Sequence, residues 1–405
     1  MNYKAIYLYV TPLFPSPKIW HGCYCYDFVR TLQSVSDYDV RVFTPGDGEG
    51  YTYGGVFVQT FKRRVLPSNL FPFLWEKKNQ QSFLEAVSRT GIQIGQICVC
   101  HVNTAMMLSY ALAVKDANPG CLTVLHHHDL ESFGLGMGIL KHCWLYNMYM
   151  FPQLRRRHEQ IDCHVFISEL VKKSFLSAPR HNWSKFKGYR KQMRGLPYRP
   201  VRIHHSMVVH NGVDRSCFVR REGFRPNDIF TIGCIGNFIE LKGHMTLLKS
   251  VRLLRDEGVN VRVKMIGSGP LYETCRKYVV RNKLTDRVQF LQEVYHDQMP
   301  SFYRTLDLFV LPSYFEGFGC VFAEAYVSGV PFVTCEGQGI SDLLKDDAWL
   351  IPPHDAVKLA EKIKWVMASH PQQRLQGELD ICKIVADFCK QLGDLQRDIG
   401  MNHHD

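Results

Sequence analysis

The 405-residue chain has no uninterrupted apolar run of about 18 residues, so no membrane-spanning helix is expected. The apolar run Ala5 to Val10 follows Met1-Asn2-Tyr3-Lys4 and stops at Thr11-Pro12 without a small-residue cleavage site. A first β-strand is therefore expected there rather than a signal peptide. Paired Cys-x-x-Cys motifs are missing from a chain with 14 cysteines, which argues against a zinc framework. Cys23/Cys25 and Cys98/Cys100 are i, i+2 pairs, and on strands they would point to opposite faces. The cysteines read as small buried hydrophobes in a reducing, cytoplasmic setting. Neither charge (21%) nor hydrophobicity (46%) is extreme, so disorder is not the default and a large core is affordable.

Positive charge is present in excess, and it is local. Thirteen Lys/Arg face three acids between Phe151 and Ser206, an excess of ten in a chain whose formal charge is +11. The rest is close to neutral, so general nucleic-acid binding is not expected; an anionic surface or substrate is.

The second half alternates strand-like and helix-like segments. Strands are expected over Phe230–Ile235, Val261–Ile266, Val288–Leu291, Leu306–Leu311, Pro331–Cys335 and Ala348–Ile351, with helical spacing between them. The first half repeats the rhythm less regularly, with strands over Ala5–Val10, Val40–Phe43, Val56–Phe61, Ile97–Val102, Leu122–Leu125 and His164–Ile167. Such alternation implies βαβ units and parallel sheets. The expected organisation is α/β: a Rossmann-like domain over 1–206 with a basic insertion at 179–202, a second over 207–378, and a helix with a polar tail over 379–405.

Ligands in such sheets sit beyond the carboxyl ends of the strands, on helix N-termini. Four turns of the second half stand out. Gly236-Asn237-Phe238-Ile239-Glu240-Leu241-Lys242-Gly243 puts a lysine at a helix start, where it opposes the dipole unless an anion is bound; a solvated lysine is the plain reading. Gly267-Ser268-Gly269-Pro270 allows close backbone approach, or is an ordinary turn. Glu316-Gly317-Phe318-Gly319 leads into a helix holding Glu324, a placement suited to gripping ribose hydroxyls or simply to a helix N-terminus. Glu336-Gly337-Gln338-Gly339 is a further glycine-flanked loop.

Together these motifs resemble the donor domain of the family-4 retaining glycosyltransferases, the class with two Rossmann-like domains facing across a cleft (GT-B). The stretch from Glu316 to Glu324 matches that family's E-x7-E signature. Asn211-Gly212-Val213-Asp214, Lys242-Gly243, Gly267-x-Gly269-Pro270, Leu311-Pro312-Ser313 and Ser328-Gly329-Val330-Pro331 match in order. The resemblance implies that Lys242 binds the donor diphosphate and Glu324 the ribose. Glu316, with the amides of Phe318 and Gly319, would hold the transferring sugar and its phosphate. Asn237 stands where the family usually has an arginine, which removes one cation. In the first domain His21-Gly22 falls short of the usual glycine pair. Of His126, His127 and His128, the last, directly before Asp129, best fits the family's sugar-facing histidine. The resemblance also implies retention of configuration, no cofactor and no metal, the nucleotide-sugar being a co-substrate.

Large apolar residues between Leu140 and Phe151 precede Arg155-Arg156-Arg157 and the basic insertion. Over 140–202 this combination suits an anionic membrane face and a lipid-linked or other glycan acceptor, or else a buried helix and a solvated loop. The resulting expectation is an enzyme of cell-surface polysaccharide or glycoconjugate synthesis, cytoplasmic and peripheral on the inner face of the membrane. A soluble transferase acting on a small acceptor or glucan, a nucleotide-sugar epimerase and a non-catalytic nucleotide-sugar binder are the alternatives.

Overall fold

The computed structural model describes residues 4–16, 22–66, 73–128, 144–176, 201–219, 229–291 and 294–400. It divides into two units, one formed by residues up to His210 together with those from Ile381 onward, the other by Asn211–Asp380.

The first unit is built on an eight-stranded sheet. Its strands are β1 (Ile6–Val10), β2 (Asp39–Pro45), β3 (Tyr51–Tyr53), β4 (Val56–Phe61), β5 (Ile97–Asn103), β6 (Leu122–His127), β7 (Cys163–Phe166) and β8 (His205–Val208), in the order β3-β4-β2-β1-β5-β6-β7-β8. All neighbours are parallel except the β3–β4 pair. The central strands are buried on both faces, as helix-covered parallel strands must be, and this admits Tyr7, Tyr9 and His101 as well as aliphatics. Cys98 and Cys100 join two different core clusters on opposite faces, as their spacing requires. Helices of this unit are α1 (Cys23–Val35), α2 (Glu76–Arg89), α3 (Leu108–Ala117), α4 (Trp144–His158) and α5 (Glu169–Leu176).

The second unit has a six-stranded parallel sheet in the order β11-β10-β9-β12-β13-β14. Its strands are β9 (Phe230–Ile235), β10 (Val261–Ile266), β11 (Val288–Leu291), β12 (Leu308–Val310), β13 (Phe332–Cys335) and β14 (Leu350–Ile351). The helices are α6 (His244–Asp256), α7 (Tyr272–Arg281), α8 (Met299–Tyr303), α9 (Cys320–Val327) and α10 (Ala356–Ser369). Each sheet reverses its strand order beside its first strand: at β1/β5 in one, at β9/β12 in the other.

Three features differ from the sequence expectation. The final helix, α11 (Ile381–Asp398), is part of the first unit and not a separate tail. Its stripe Ile381, Val385, Phe388, Leu392 and Leu395 enters the core beside Phe28 and Val29 of α1, with Phe28 and Phe388 ring centroids 5.6 Å apart. The division falls at His210/Asn211 rather than at 206/207. The edge strands β3 and β8 went unforeseen because they are short and none of their residues is fully buried, leaving little apolar signal. Among the described residues, no helix is long and apolar enough to cross a membrane.

Candidate functional site

In the second unit two loops at the β9/β12 switch point are stitched together by backbone. Gly243 adopts φ 68°, and a Cβ on it would overlap the Pro312 carbonyl oxygen. Only glycine fits this crossing. The Tyr314 amide donates to the Leu241 carbonyl at 2.6 Å, and the Tyr314 and Thr246 hydroxyls lie 3.1 Å apart. This crossing sets Lys242 against Glu316: Nζ and Oε2 form a charge-assisted hydrogen bond between two partly buried side chains. The Gly339 amide, in the fourth glycine loop, donates to the Glu316 carbonyl at 3.0 Å.

Glu316 thus stands at the N-terminus of α9. Gly319 caps that helix in the left-handed region (φ 83°), where a Cβ would collide with Glu316 Cγ and the Phe322 ring. Phe318 is buried. Glu324 lies inside α9 and is also buried. The Tyr303 hydroxyl donates to its Oε2 at 2.8 Å and to the Val321 carbonyl at 3.1 Å. Burial raises the Glu324 carboxyl above its ordinary range; nearby His296 and the Tyr303 hydrogen bond pull the other way. Asn211 donates to Cys320 Sγ at 3.4 Å, tying the Asn-Gly-Val-Asp turn to the start of the same helix.

Asn237 is exposed. Gly267 and Gly269 have φ 141° and 145°, and the group that approaches them is the chain's own backbone at Gly236 and Phe238. Their need for glycine is therefore met by packing, and it shapes the Asn237 loop. Tyr303, His296 and Thr246 were not singled out from the sequence. They belong to helices and turns whose residue types give no chemical signal.

The first unit brings Gly22, Asn103 and His128 to the carboxyl edge of its own sheet. Gly22 has φ 91° at the N-terminus of α1, and a Cβ there would press on the Leu13 carbonyl oxygen at 2.9 Å. His21 and Asp129 lie outside the described residues. His128 stacks on His126 with centroids 4.3 Å apart, and its Nε2 is 3.1 Å from Asn103 Oδ1. Burial pushes its pKa down to about 3, so the ring is neutral. His127 turns the other way. Among the described residues, His127, His158 and His164 bring three possible ligand atoms within 4.8 Å. Yet the His127 and His164 rings are nearly coplanar (11°), with His127 Nε2 facing His164 Nδ1 at 2.9 Å. The other His164 nitrogen meets the His158 carbonyl at 3.0 Å. That is a head-on hydrogen-bond chain; metal ligation requires lone pairs converging on one point.

Of the 140–202 stretch, residues 140–143 and 177–200 lie outside the described residues. Arg157 is internal: it forks onto Glu76 (3.0 and 2.5 Å) and covers the Phe73 ring at 3.8 Å. Arg155 pairs with Glu159 at 3.6 Å, while Arg156 and Tyr149 are exposed.

The two sheets and their glycine-shaped edges define a two-domain Rossmann-like fold of the GT-B class. Residues 218–378 match the family described as glycosyl transferases group 1. Protein CapJ of Staphylococcus aureus is 33% identical over 162 residues, 39% of this chain and 40% of that one. The putative colanic acid biosynthesis glycosyltransferase WcaL of Escherichia coli K12 is 28% identical over 182 residues, 43% and 44% of the two chains. The chain thus matches less than half the length of these relatives. Anabaena HepE, solved with UDP and glucose, superposes with a TM-score of 0.61 over 97% of this chain and 98% of its own, at 16% identity. At that identity the likeness is one of fold.

Proposed function

We propose that the protein is a retaining, metal-independent glycosyltransferase that moves a sugar from a nucleotide-sugar donor to a glycan or lipid-linked acceptor in cell-surface polysaccharide synthesis. The observation that carries this reading is the Lys242–Glu316 pair, set by the Gly243–Pro312 crossing at the switch point of the family-matched unit. An anionic diphosphate arriving at Lys242 takes the place of the Glu316 carboxylate. Glu316 is then released to accept hydroxyl hydrogen bonds from the transferring sugar. Charge developing on the leaving diphosphate is met by Lys242 and the N-terminus of α9. Glu324, held by Tyr303, takes the ribose hydroxyls. No protein nucleophile is invoked: the acceptor attacks on the face the diphosphate leaves, and the diphosphate takes its proton.

The polysaccharide assignment rests on what WcaL is named for, and HepE's ligands make UDP-sugars the first donors to try. A cytoplasmic, membrane-peripheral setting rests on the basic excess between 151 and 206. The test is nucleoside-diphosphate release from UDP-, GDP- and ADP-sugars in metal-free buffer, with wild type and Glu316→Ala. Release from one donor, lost in the variant, supports transfer and names the donor. Release that requires added metal overturns the mechanism. Donor binding by calorimetry with no release under any acceptor favours the non-catalytic binder, the reading Asn237 motivates.

A further inference from the structure

The carboxyl edge of the first sheet holds a polar network that the donor reading of the second unit does not use. At its centre is Asn103, the fully buried last residue of β5. Its amide nitrogen donates to the Tyr9 hydroxyl and to Cys25 Sγ at 3.3 Å, and its amide oxygen faces His128 Nε2 at 3.1 Å. With both N–H groups engaged, the side facing His128 is an acceptor, so Nε2 carries the hydrogen. A neutral imidazole has one N–H, which makes Nδ1 a bare lone pair. Nδ1 is buried and has no hydrogen-bond partner among the described residues. The ring cannot easily turn away, because His126 stacks on it at 4.3 Å and Tyr24 packs at 4.7 Å.

The next residue supplies an independent sign. Thr104 has φ 67° and ψ 152°, a backbone conformation that β-branched residues rarely adopt, with its amide held to the His126 carbonyl at 2.9 Å. Its hydroxyl is also buried without a partner among the described residues. Strain beside unpaired polar atoms at the end of a central strand is characteristic of a ligand site.

We propose that Asn103 is a positioning residue for His128: it fixes the Nε2–H tautomer and presents Nδ1 as an acceptor for a carbohydrate hydroxyl. The titratable groups around the network are His101, His126, Tyr9 and Cys25, all kept neutral by burial, with Tyr24 packed on the ring. A neutral lone pair in such surroundings suits an O–H donor; an anion would meet it lone pair to lone pair. That the hydroxyl belongs to a sugar rests on the transferase reading, whereas the tautomer does not.

The experiment has two arms on the full chain. In protein labelled with 15N-histidine, two-bond couplings show which ring nitrogen carries hydrogen, with His128 identified by its loss in His128→Gln. Wild type should show Nε2–H, and Asn103→Leu a shift toward Nδ1–H. A wild-type Nδ1–H ring, or an Asn103→Leu spectrum identical to wild type, overturns the proposal. In the kinetic arm, diphosphate release is followed with donors each lacking one sugar hydroxyl. Wild type should lose about 10–100-fold in kcat/KM with one of them. Asn103→Leu should lose a similar factor with the parent donor and no longer discriminate against the deoxy one; retained discrimination overturns the hydroxyl role. If Asn103→Leu does not fold, the near-isosteric Asn103→Asp carries the test. Its carboxylate stabilises the imidazolium, whose Nδ1 then bears hydrogen, so an acid limb absent from wild type should enter the kcat/KM profile. No such limb overturns the proposal. If wild type releases diphosphate from no donor, the transferase reading fails, and the spectra still decide the role of Asn103.

Discussion

The two units use the same strand-and-turn architecture to make edges of opposite electrical character. Beyond β9 and β12 the side chains are ionic: Lys242 against Glu316, with Glu324 close behind in α9. Beyond β5 and β6 they are neutral: Asn103, Thr104 and a histidine whose charged form burial suppresses. An ionic edge can exchange one anion for another, as binding a diphosphate requires. A neutral, desolvated edge can sort hydroxyls by hydrogen-bond direction. The family match covers only the ionic unit. Charge there is concentrated in short, recognisable motifs, whereas the neutral edge is assembled from residues of four separate segments.

The contrast can be broken at several points. The largest effect should come from Glu316→Ala or Lys242→Ala, each lowering diphosphate release by about 100-fold or more. If the two groups act as one unit, the double variant loses little beyond either single one; full additivity in kcat/KM would show that they act separately. Next is Gly243→Ala. It forces an alanine into the left-handed region and its Cβ into the Pro312 carbonyl, so unfolding in urea should show a loss of about 2 kcal/mol or more. An unchanged midpoint would mean the two loops are not locked together.

Acid should separate the units. Burial lowers the pKa of His101, His126, His127, His128 and His164 in the first unit, and of His244 in the second. The unfolded chain takes up these protons near 6.5 and the folded one only far below, at about 3 for His101 and His128. The stability they contribute is present above about 6.5 and falls away as pH drops toward 3. Glu324 has the opposite sign. Its raised carboxyl gives a contribution present at low pH and lost as pH rises through its folded pKa. Hydrogen exchange between pH 7 and pH 4 should therefore open peptides of β5 to β7 before those of β9 to β12, and the reverse order would contradict this account. The smallest effect follows from the same sign: Glu324→Gln should raise the melting temperature by about 2–4 °C while weakening donor binding, a trade common at functional sites. A lower melting temperature would mean that the Tyr303 hydrogen bond outweighs the cost of burying the charge.

Much of the ionic edge was legible in the sequence. Glu316, Glu324 and Lys242 stood in glycine-marked turns of a regular βα series, and the fold follows from that series. The neutral edge was only partly legible. His128 was one of three adjacent histidines, and strand alternation buries His127 in a different cluster from His126. Asn103 and Thr104 follow directly on the expected strand Ile97–Val102 and belong to no motif that marks them.

What the sequence alone determined is therefore local: the strand and helix periods, the glycine turns, the acids and the lysine, and the amphipathic stripe of the last helix. Only the tertiary structure decided which of these meet. Lys242 and Glu316 are 74 residues apart and pair because Gly243 lets one backbone cross another. The stripe from Ile381 to Leu395 announced a helix with a face to bury, but its placement on α1 depended on complementary core surface near the other end of the chain, where Phe28 meets Phe388. Periodicity specifies how much surface an element must bury; the partner is chosen by the packing of surfaces that folding brings together.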